Sequence, residues 1–466
     1  MAFYPFIQEI SYQNPLHIFS HFSTWDSVVF LDSAELRDRC GRYSFIAFDP
    51  FAKLTSKNGR VMLNDQVVEE NPFQVLLNQL AKYSMNILPD LPPFQGGVAG
   101  LFSYDLIQHV EKIKSSQIDN MHYEDLMVGF YDLVIAFDEL LKRAFIFSSG
   151  FPLFEEKARE KRAQKRINFV VEELKKVKPL CFTPQKFCEK ITANFSQAQY
   201  ENAVKKVIEY ILAGDIFEAN ISQCFQAPLF EDAEPFQIYQ QLRQGNPAPF
   251  SAFLRFAETF ILSASPERFL KLHNNHVETR PIKGTRPRGK SKEEDQALAQ
   301  ELLNSEKDRA ENVMIVDLLR NDLSRVCEDR SVVVPKLCDL ESYATVHHLV
   351  SVVEGELREQ FSAIDLLKAA FPGGSITGAP KIRAAEIIAE IEPTVRGPYC
   401  GSIGYIGFDG NMDTSIVIRT IAIKNHIATF QAGGAIVMDS HPADEYEETL
   451  TKAKALHKAL THDFID

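Results

Sequence analysis

The sequence predicts a mixed α/β (α+β) protein of two interdependent lobes, and three observations carry that prediction. β-rich runs bounded by Asp, Gly and Pro alternate with amphipathic helical stretches along the chain. At 466 residues, 45% hydrophobic and 24% charged, there is material for two or three ordinary domains or one large one. No repeat of fixed period and no low-complexity tract breaks the pattern, which excludes solenoid and fibrous classes.

Residues 1–150 form the first region. The runs 28–31, 43–48 and 126–137 read as strands, and the glycine-rich turn at 95–101 enters another. Residues 151–190 are expected to be a charged helical connector. The stretch 155–178 is dense in Lys, Arg and Glu, has Leu174 and Val177 only late, and closes at Pro179, so it reads as a solvated helix. The second region, 191–466, opens with Ser196 before an amphipathic helix (Tyr200, Val204, Val207, Ile208, Ile211) that stops at Gly214.

The formal charge of −13 argues against a general nucleic-acid binder, because no basic surplus is available for phosphates. A local cluster of cations can still serve a small anion. Seven scattered cysteines without a CxxC pair favour reduced thiols in the cytoplasm over disulfides or a zinc site. Residues 1–5 lack a charged segment followed by an apolar one, and no apolar run approaches ~18 residues. Neither a signal peptide nor a membrane span is therefore expected.

The segment 280–289 (RPIKGTRPRG) follows a strand-like run and sets Lys283 among prolines, glycines and three arginines. Like charges would lower its pKa and make it a candidate amine nucleophile, though the segment alone fits a solvated basic loop equally well. In 305–322 (SEKDRAENVMIVDLLRND), Ser305 and Asp308 resemble a capping box, and Asp308 and Glu311 share one side of a helix. Near the C-terminus, Glu445, Glu448 and Lys452 share another helix face behind Pro442. Each carboxylate pair alone reads as a solvated face, while the two together suit a hard cation such as magnesium.

The loop 371–381 (FPGGSITGAPK) enters a helix with Pro380 in its first turn, a geometry that suits a carboxylate or phosphate but lacks P-loop spacing. Gly433 and Gly434, after a strand at 427–430, offer a second backbone cradle. Arg419, ending an apolar strand, needs a buried acid or an anionic ligand.

These segments, with 400–405 (CGSIGY) and 411–420 (NMDTSIVIRT), resemble in this order the chorismate-utilising enzymes. That family comprises the large subunits of anthranilate synthase and aminodeoxychorismate synthase and their isochorismate- and salicylate-forming relatives. The likeness is strong over about 195–460 and looser before 150. It implies an anthranilate synthase component I-like fold, with a large mixed sheet or β-sandwich core and surrounding helices. It also implies a magnesium site made by Glu311 and Glu448, and substrate binding by Gly284, Thr285, Tyr399, Arg419, Gly433, Gly434 and Lys452. Glu267 would be the general acid for the C4 hydroxyl and His348 the histidine near the ring.

Lys283 separates the branches. Anthranilate synthases resemble one another in carrying alanine there (PIAGT), whereas aminodeoxychorismate synthases carry lysine (PIKGT), which attacks C2 before ammonia attacks C4. The resemblance thus implies amination of chorismate toward p-aminobenzoate and folate, with Lys283 as covalent nucleophile. Anthranilate synthase is the alternative, and a catalytically silent tryptophan- or partner-binding homologue a more distant one. Glu218 stands where isochorismate-type relatives carry a water-activating lysine and the aminating branch a glutamine, and Ala435 interrupts the usual glycine pattern. Ser33, Arg42, Tyr43, Pro249, Phe250 and Ser251 resemble the family's tryptophan pocket; ordinary core and turn explain them equally well. No GxCxG elbow for a glutaminase is present, so ammonia is expected from a separate glutaminase subunit.

Overall fold

The computed structural model describes residues 3–36, 40–116, 118–342 and 346–462. Two twelve-stranded sheets dominate it, and each draws strands from both expected regions. In the first sheet Val28–Asp32 pairs antiparallel with Phe250–Phe256. In the second, Gly97–Phe102 pairs antiparallel with Ser402–Gly407. Neither region could satisfy its own strand edges alone, so the lobes are interleaved rather than merely adjacent. Between the sheets, Val29, Phe45 and Val134 of one meet Leu101, Met127 and Ile403 of the other in one apolar cluster. Each such side chain removed from water contributes about 1.5–3 kcal/mol.

The chain passes repeatedly from one sheet to the other, and these crossings position the chemistry. The run expected as one strand over 126–137 is two strands, Leu126–Tyr131 and Leu133–Asp138, in different sheets. The break falls at Asp132, whose buried carboxylate meets Arg166 at 3.0 Å and Arg162 at 3.5 Å. Both arginines come from helix Glu156–Leu174. That helix is therefore not the solvated connector its charge suggests. Ala163, Ile167 and Val170 form a buried stripe at helical spacing, and the helix packs on strand Arg143–Ser148.

Two further crossings lie side by side. Pro266 and Glu267 link Thr259–Ser265 of the first sheet to Arg268–His273 of the second. Residues 417–419 link Met412–Ile416 of the second back to Thr420–Lys424 of the first. The Ile416 N–H donates to the Glu267 carbonyl at 3.1 Å, and the Ala264 N–H donates to the Arg419 carbonyl at 3.1 Å. Arg419 thus lies in a turn at φ 52° rather than ending a strand. The expected helix after Ser196 is present as Gln197–Leu212, with a reciprocal capping box between Ser196 and Gln199. All seven cysteines are free. Among the described residues no helix is long and apolar enough to cross a membrane.

Candidate functional site

Lys283 lies on strand Ile282–Pro287, which pairs with Val346–Glu356. The pairing slips between Lys283 and Thr285, at Gly284, whose φ of +74° is a left-handed conformation that suits glycine. A Cβ there would also come within 3.0 Å of the Asp308 side chain. The Lys283 Nζ donates to Glu218 Oε1 at 2.9 Å, although Glu218 opens strand Glu218–Pro228 in the opposite sheet. The contact joins the two sheets and is buried on both sides, with side-chain exposures of 10% and 0%.

Opposite charges rather than like ones surround Lys283. Burial pushes the Lys283 pKa down, but Glu218, Glu311 and Glu267 outweigh it and hold the ammonium above its ordinary value. The three arginines in the segment are occupied elsewhere. Arg280 pairs with Glu341 at 2.5 Å, Arg286 with Glu301 at 2.7 Å, and Arg288 with Asp295 at 2.7 Å. Sequence proximity suggested like charges, whereas the fold supplies opposite ones.

Glu267, at the sheet crossing, is buried and accepts a hydrogen bond from Ser375 Oγ at 2.8 Å. Burial raises its pKa to about 7, against the opposing pull of Ser375 and Lys283. Ser375 belongs to the loop 371–381, so that loop holds the acid. It also braces the Glu218 strand, with the Phe217 N–H donating to the Ala379 carbonyl at 2.7 Å and the Asn220 N–H to Thr377 at 2.9 Å. Pro380 is the N-cap of helix Lys381–Ile391 rather than a first-turn residue.

Glu311 projects from helix Glu306–Ser324, and burial raises its pKa to about 7, with Lys283 acting against the rise. Lys307, one turn earlier, lies 4.0 Å from Glu311 and 3.8 Å from Glu445 of helix Pro442–Thr461. On that helix Glu448 pairs with Lys452 at 2.6 Å. Lys452 Nζ donates to the Gly433 carbonyl at 2.9 Å, and Arg419 Nη1 donates to the Lys452 carbonyl at 2.6 Å. Among the described residues Arg419 has no carboxylate within 4.0 Å, so its buried guanidinium has a carbonyl for a partner but no counter-ion. Tyr399 is buried and contributes to the field at Arg419. His348 shares a hydrogen bond of 2.9 Å between its Nδ1 and Thr285 Oγ1.

Gly433 and Gly434 lie within strand Ile427–Ile436, not after a strand as expected. Their small size is used for close approach: a Cβ on Gly434 would sit 2.9 Å from Glu448 Oε1 and 3.0 Å from Glu445 Oε2. That Glu445 oxygen is buried without a hydrogen-bond partner among the described residues. Among the described residues no three metal-ligating side chains are gathered into one cluster. Magnesium asks for only one or two protein carboxylates, with water and ligand oxygens completing its shell. Glu311 and Glu448 are two carboxylates that both lie in the fields of Lys283 and Lys307, so their number fits such a shell, and Lys307 already brings a positive charge to the carboxylate cluster.

The fold therefore links Lys283, Glu267, Glu311, Glu448, Lys452, Arg419 and the 433–434 backbone through contacts or mutual fields, and holds Thr285 and His348 on the lysine's own strand pair. Sequence reasoning paired Glu445 with Glu448 on one helix face but assigned no task to Ser375 or Lys307. Only the i, i+4 spacing of Lys307 and Glu311 offered a signal. The six residues resembling a tryptophan pocket do not join this cluster. They line a separate cavity of about 740 Å³ between the sheets. There Arg268 lies 5.2 Å from the centre of the Phe250 ring and pairs with Asp413 at 3.0 Å.

Comparison with known proteins gives a consistent result. The family profile of chorismate binding enzymes matches residues 27–458. The chain is 40% identical to aminodeoxychorismate synthase component 1 of Escherichia coli strain K12, covering 95% of each. It is 38% identical to anthranilate synthase component 1 of Acetivibrio thermocellus, covering 96% of this chain and 93% of that one. The crystal structure of anthranilate synthase component I from Streptococcus pneumoniae superposes with a TM-score of 0.79 at 34% identity, over 90% of this chain and 93% of that one.

Proposed function

The chain belongs to the chorismate binding enzyme family, and within it we propose that it is the large subunit of an aminodeoxychorismate synthase. It would convert chorismate and ammonia to 4-amino-4-deoxychorismate in the cytoplasm, for p-aminobenzoate and folate synthesis. Relatives of both names are similar to the chain at 38% and 40% identity, so overall likeness does not choose between them. The supporting observation is Lys283, buried against Glu218 and within the fields of Glu267 and Glu311 rather than on a basic surface loop.

In this reading Arg419, Lys452, Tyr399 and the 433–434 backbone hold the substrate carboxylates, and Gly284 and Thr285 line the ring. Cations are needed there because the substrate is a dianion. Glu311 and Glu448 would hold magnesium, which when bound offsets the charge of the ring carboxylate. Glu267, with a pKa of about 7, still carries a proton near neutral pH and can deliver it to the departing C4 hydroxyl. The Lys283 amine attacks C2, the two ring double bonds shift, and the C4–O bond breaks to release water. Ammonia then attacks C4, the double bonds shift back, and the C2–N bond breaks to restore the lysine. His348, oriented by Thr285, stands beside the ring.

The deciding experiment combines the protein with chorismate, ammonium and magnesium, with and without a coupling lyase. The proposal expects aminodeoxychorismate, and p-aminobenzoate only when the lyase is added. Anthranilate and pyruvate without the lyase would sink it in favour of anthranilate synthase. Chelation should abolish turnover and magnesium restore it. Glutamine should replace ammonium only when a separate glutaminase subunit is supplied. The 740 Å³ cavity is proposed to hold tryptophan. Added tryptophan should raise the melting temperature, and an unchanged melt would remove that assignment.

A further inference from the structure

Lys283 and Glu218 present a problem that the lysine's role alone does not solve. An ammonium has no free electron pair, so Lys283 must lose a proton before it can attack carbon. Every carboxylate facing it favours the charged form. These are Glu218 from strand Glu218–Pro228, Glu311 from helix Glu306–Ser324, Glu267 from the sheet crossing and Glu448 from the C-terminal helix, while His348 lies on the paired strand. Burial closes the direct route to bulk water, since only 10% of the lysine side chain is exposed. Among the described residues one carboxylate lies within 4.0 Å of Nζ, and it is Glu218. Its Oε2 is buried with no hydrogen-bond partner among the described residues, so among these Lys283 is the one group that stabilises the anion by direct contact.

Building on the proposed lysine-mediated amination, we infer that Glu218 is the proton acceptor that frees the Lys283 amine. The proton crosses the 2.9 Å hydrogen bond from Nζ to Oε1, turning ammonium and carboxylate into amine and carboxylic acid with no change in their summed charge. The amine then forms the N–C2 bond, the electron pair released by the double-bond shift leaves with the C4 oxygen, and the Glu267 proton makes that oxygen water. When ammonia adds at C4, the C2–N bond breaks and its electron pair returns to the lysine nitrogen. The new C4 ammonium gives a proton to Glu267, and Glu218 returns its own to Lys283. Each group ends the cycle as it began. A glutamine at this position could hold the lysine but could not accept its proton.

The test has a readout that does not depend on turnover. The full-length protein is labelled competitively with acetic anhydride between pH 6.5 and 9, and acetylation of Lys283 is read by peptide mass spectrometry. While the pair shares one proton, the fraction of free amine is nearly independent of pH, so the wild-type profile should be flat. In Glu218→Gln the proton must go to solvent, and labelling should rise about tenfold per pH unit below the amine pKa. Amination by Glu218→Gln should be about a hundredfold slower at pH 7 and approach the wild-type rate as pH rises. Glu218→Asp keeps an acceptor and should retain the flat profile at reduced rate, which covers the case in which the glutamine variant folds poorly. Parallel labelling profiles, or a loss of rate that is equal at every pH, would reduce Glu218 to a structural counter-ion and overturn the inference. Labelling as expected in a protein that makes anthranilate would instead leave the proton exchange standing and remove the amination reading.

Discussion

Two buried lysine–carboxylate pairs invite comparison. Lys381 meets Asp322 at 2.5 Å, and Lys283 meets Glu218 at 2.9 Å. Both lysines are almost wholly enclosed. Lys381 also donates to the Ala370 carbonyl at 2.7 Å, and among the described residues neither it nor Asp322 leaves a buried side-chain polar atom without a partner. Burial lowers the Lys381 pKa even though Asp322 opposes it, whereas at Lys283 several carboxylates reverse that effect. The first pair ties helix Glu306–Ser324 to helix Lys381–Ile391 and is complete. The second has a surplus of negative charge and an orphaned carboxylate oxygen, so it has capacity left for a ligand and a proton. Burial alone does not mark a reactive lysine; unsatisfied neighbours do.

The sharpest separation comes from removing each lysine. Lys283→Ala should lower amination per folded molecule about a thousandfold or more, although it too leaves a buried carboxylate, Glu218, unpaired, measured by product formation beside a thermal melt. Lys381→Ala should instead cost about 3–5 kcal/mol of stability, because Asp322 is left buried and unpaired, with little change in rate per folded molecule. Denaturant unfolding checks the stability loss, and equal losses of rate per folded molecule in the two variants would erase the distinction.

Glu267→Gln should slow the step about a hundredfold. Because the Glu267 pKa is raised to about 7 and the protonated form is the proposed acid, the wild-type rate should be full below that pH and fall as pH rises through it. Gly434→Ala pushes a methyl toward Glu448 and Glu445 and should weaken magnesium dependence about tenfold, read as a shifted activation curve. The smallest effect is expected at Ser375→Ala. Loss of a hydrogen bond that favours the Glu267 anion should move the falling limb upward by about half a pH unit.

Much of the cluster was legible because its members are spaced by local geometry. Glu311 near Lys307, and Glu448 near Lys452, follow from helix periodicity, and Glu267, Lys283 and Arg419 sit in recognisable segments. What distance in the chain hides was misread. The arginines around Lys283 looked like its electrostatic environment, yet each pairs with an acid outside the segment. Helix Glu156–Leu174 looked solvated because its three buried apolar residues are outnumbered by charges whose partners, such as Asp132, lie elsewhere. The run 126–137 looked continuous because both of its strands are apolar, and nothing local announces that Asp132 transfers the chain between sheets.

The interleaved sheets also bear on how the chain comes off the ribosome. Val28–Asp32 must wait for Phe250–Phe256, and Gly97–Phe102 for Ser402–Gly407. At about 5–20 residues per second, more than two hundred intervening residues mean roughly ten seconds to a minute in which apolar edges lack their partners. Those edges are templates for pairing with other nascent chains. Translation speed and any cover given to unfinished strands therefore bear on how much of the chain reaches its fold, before the first substrate molecule is met.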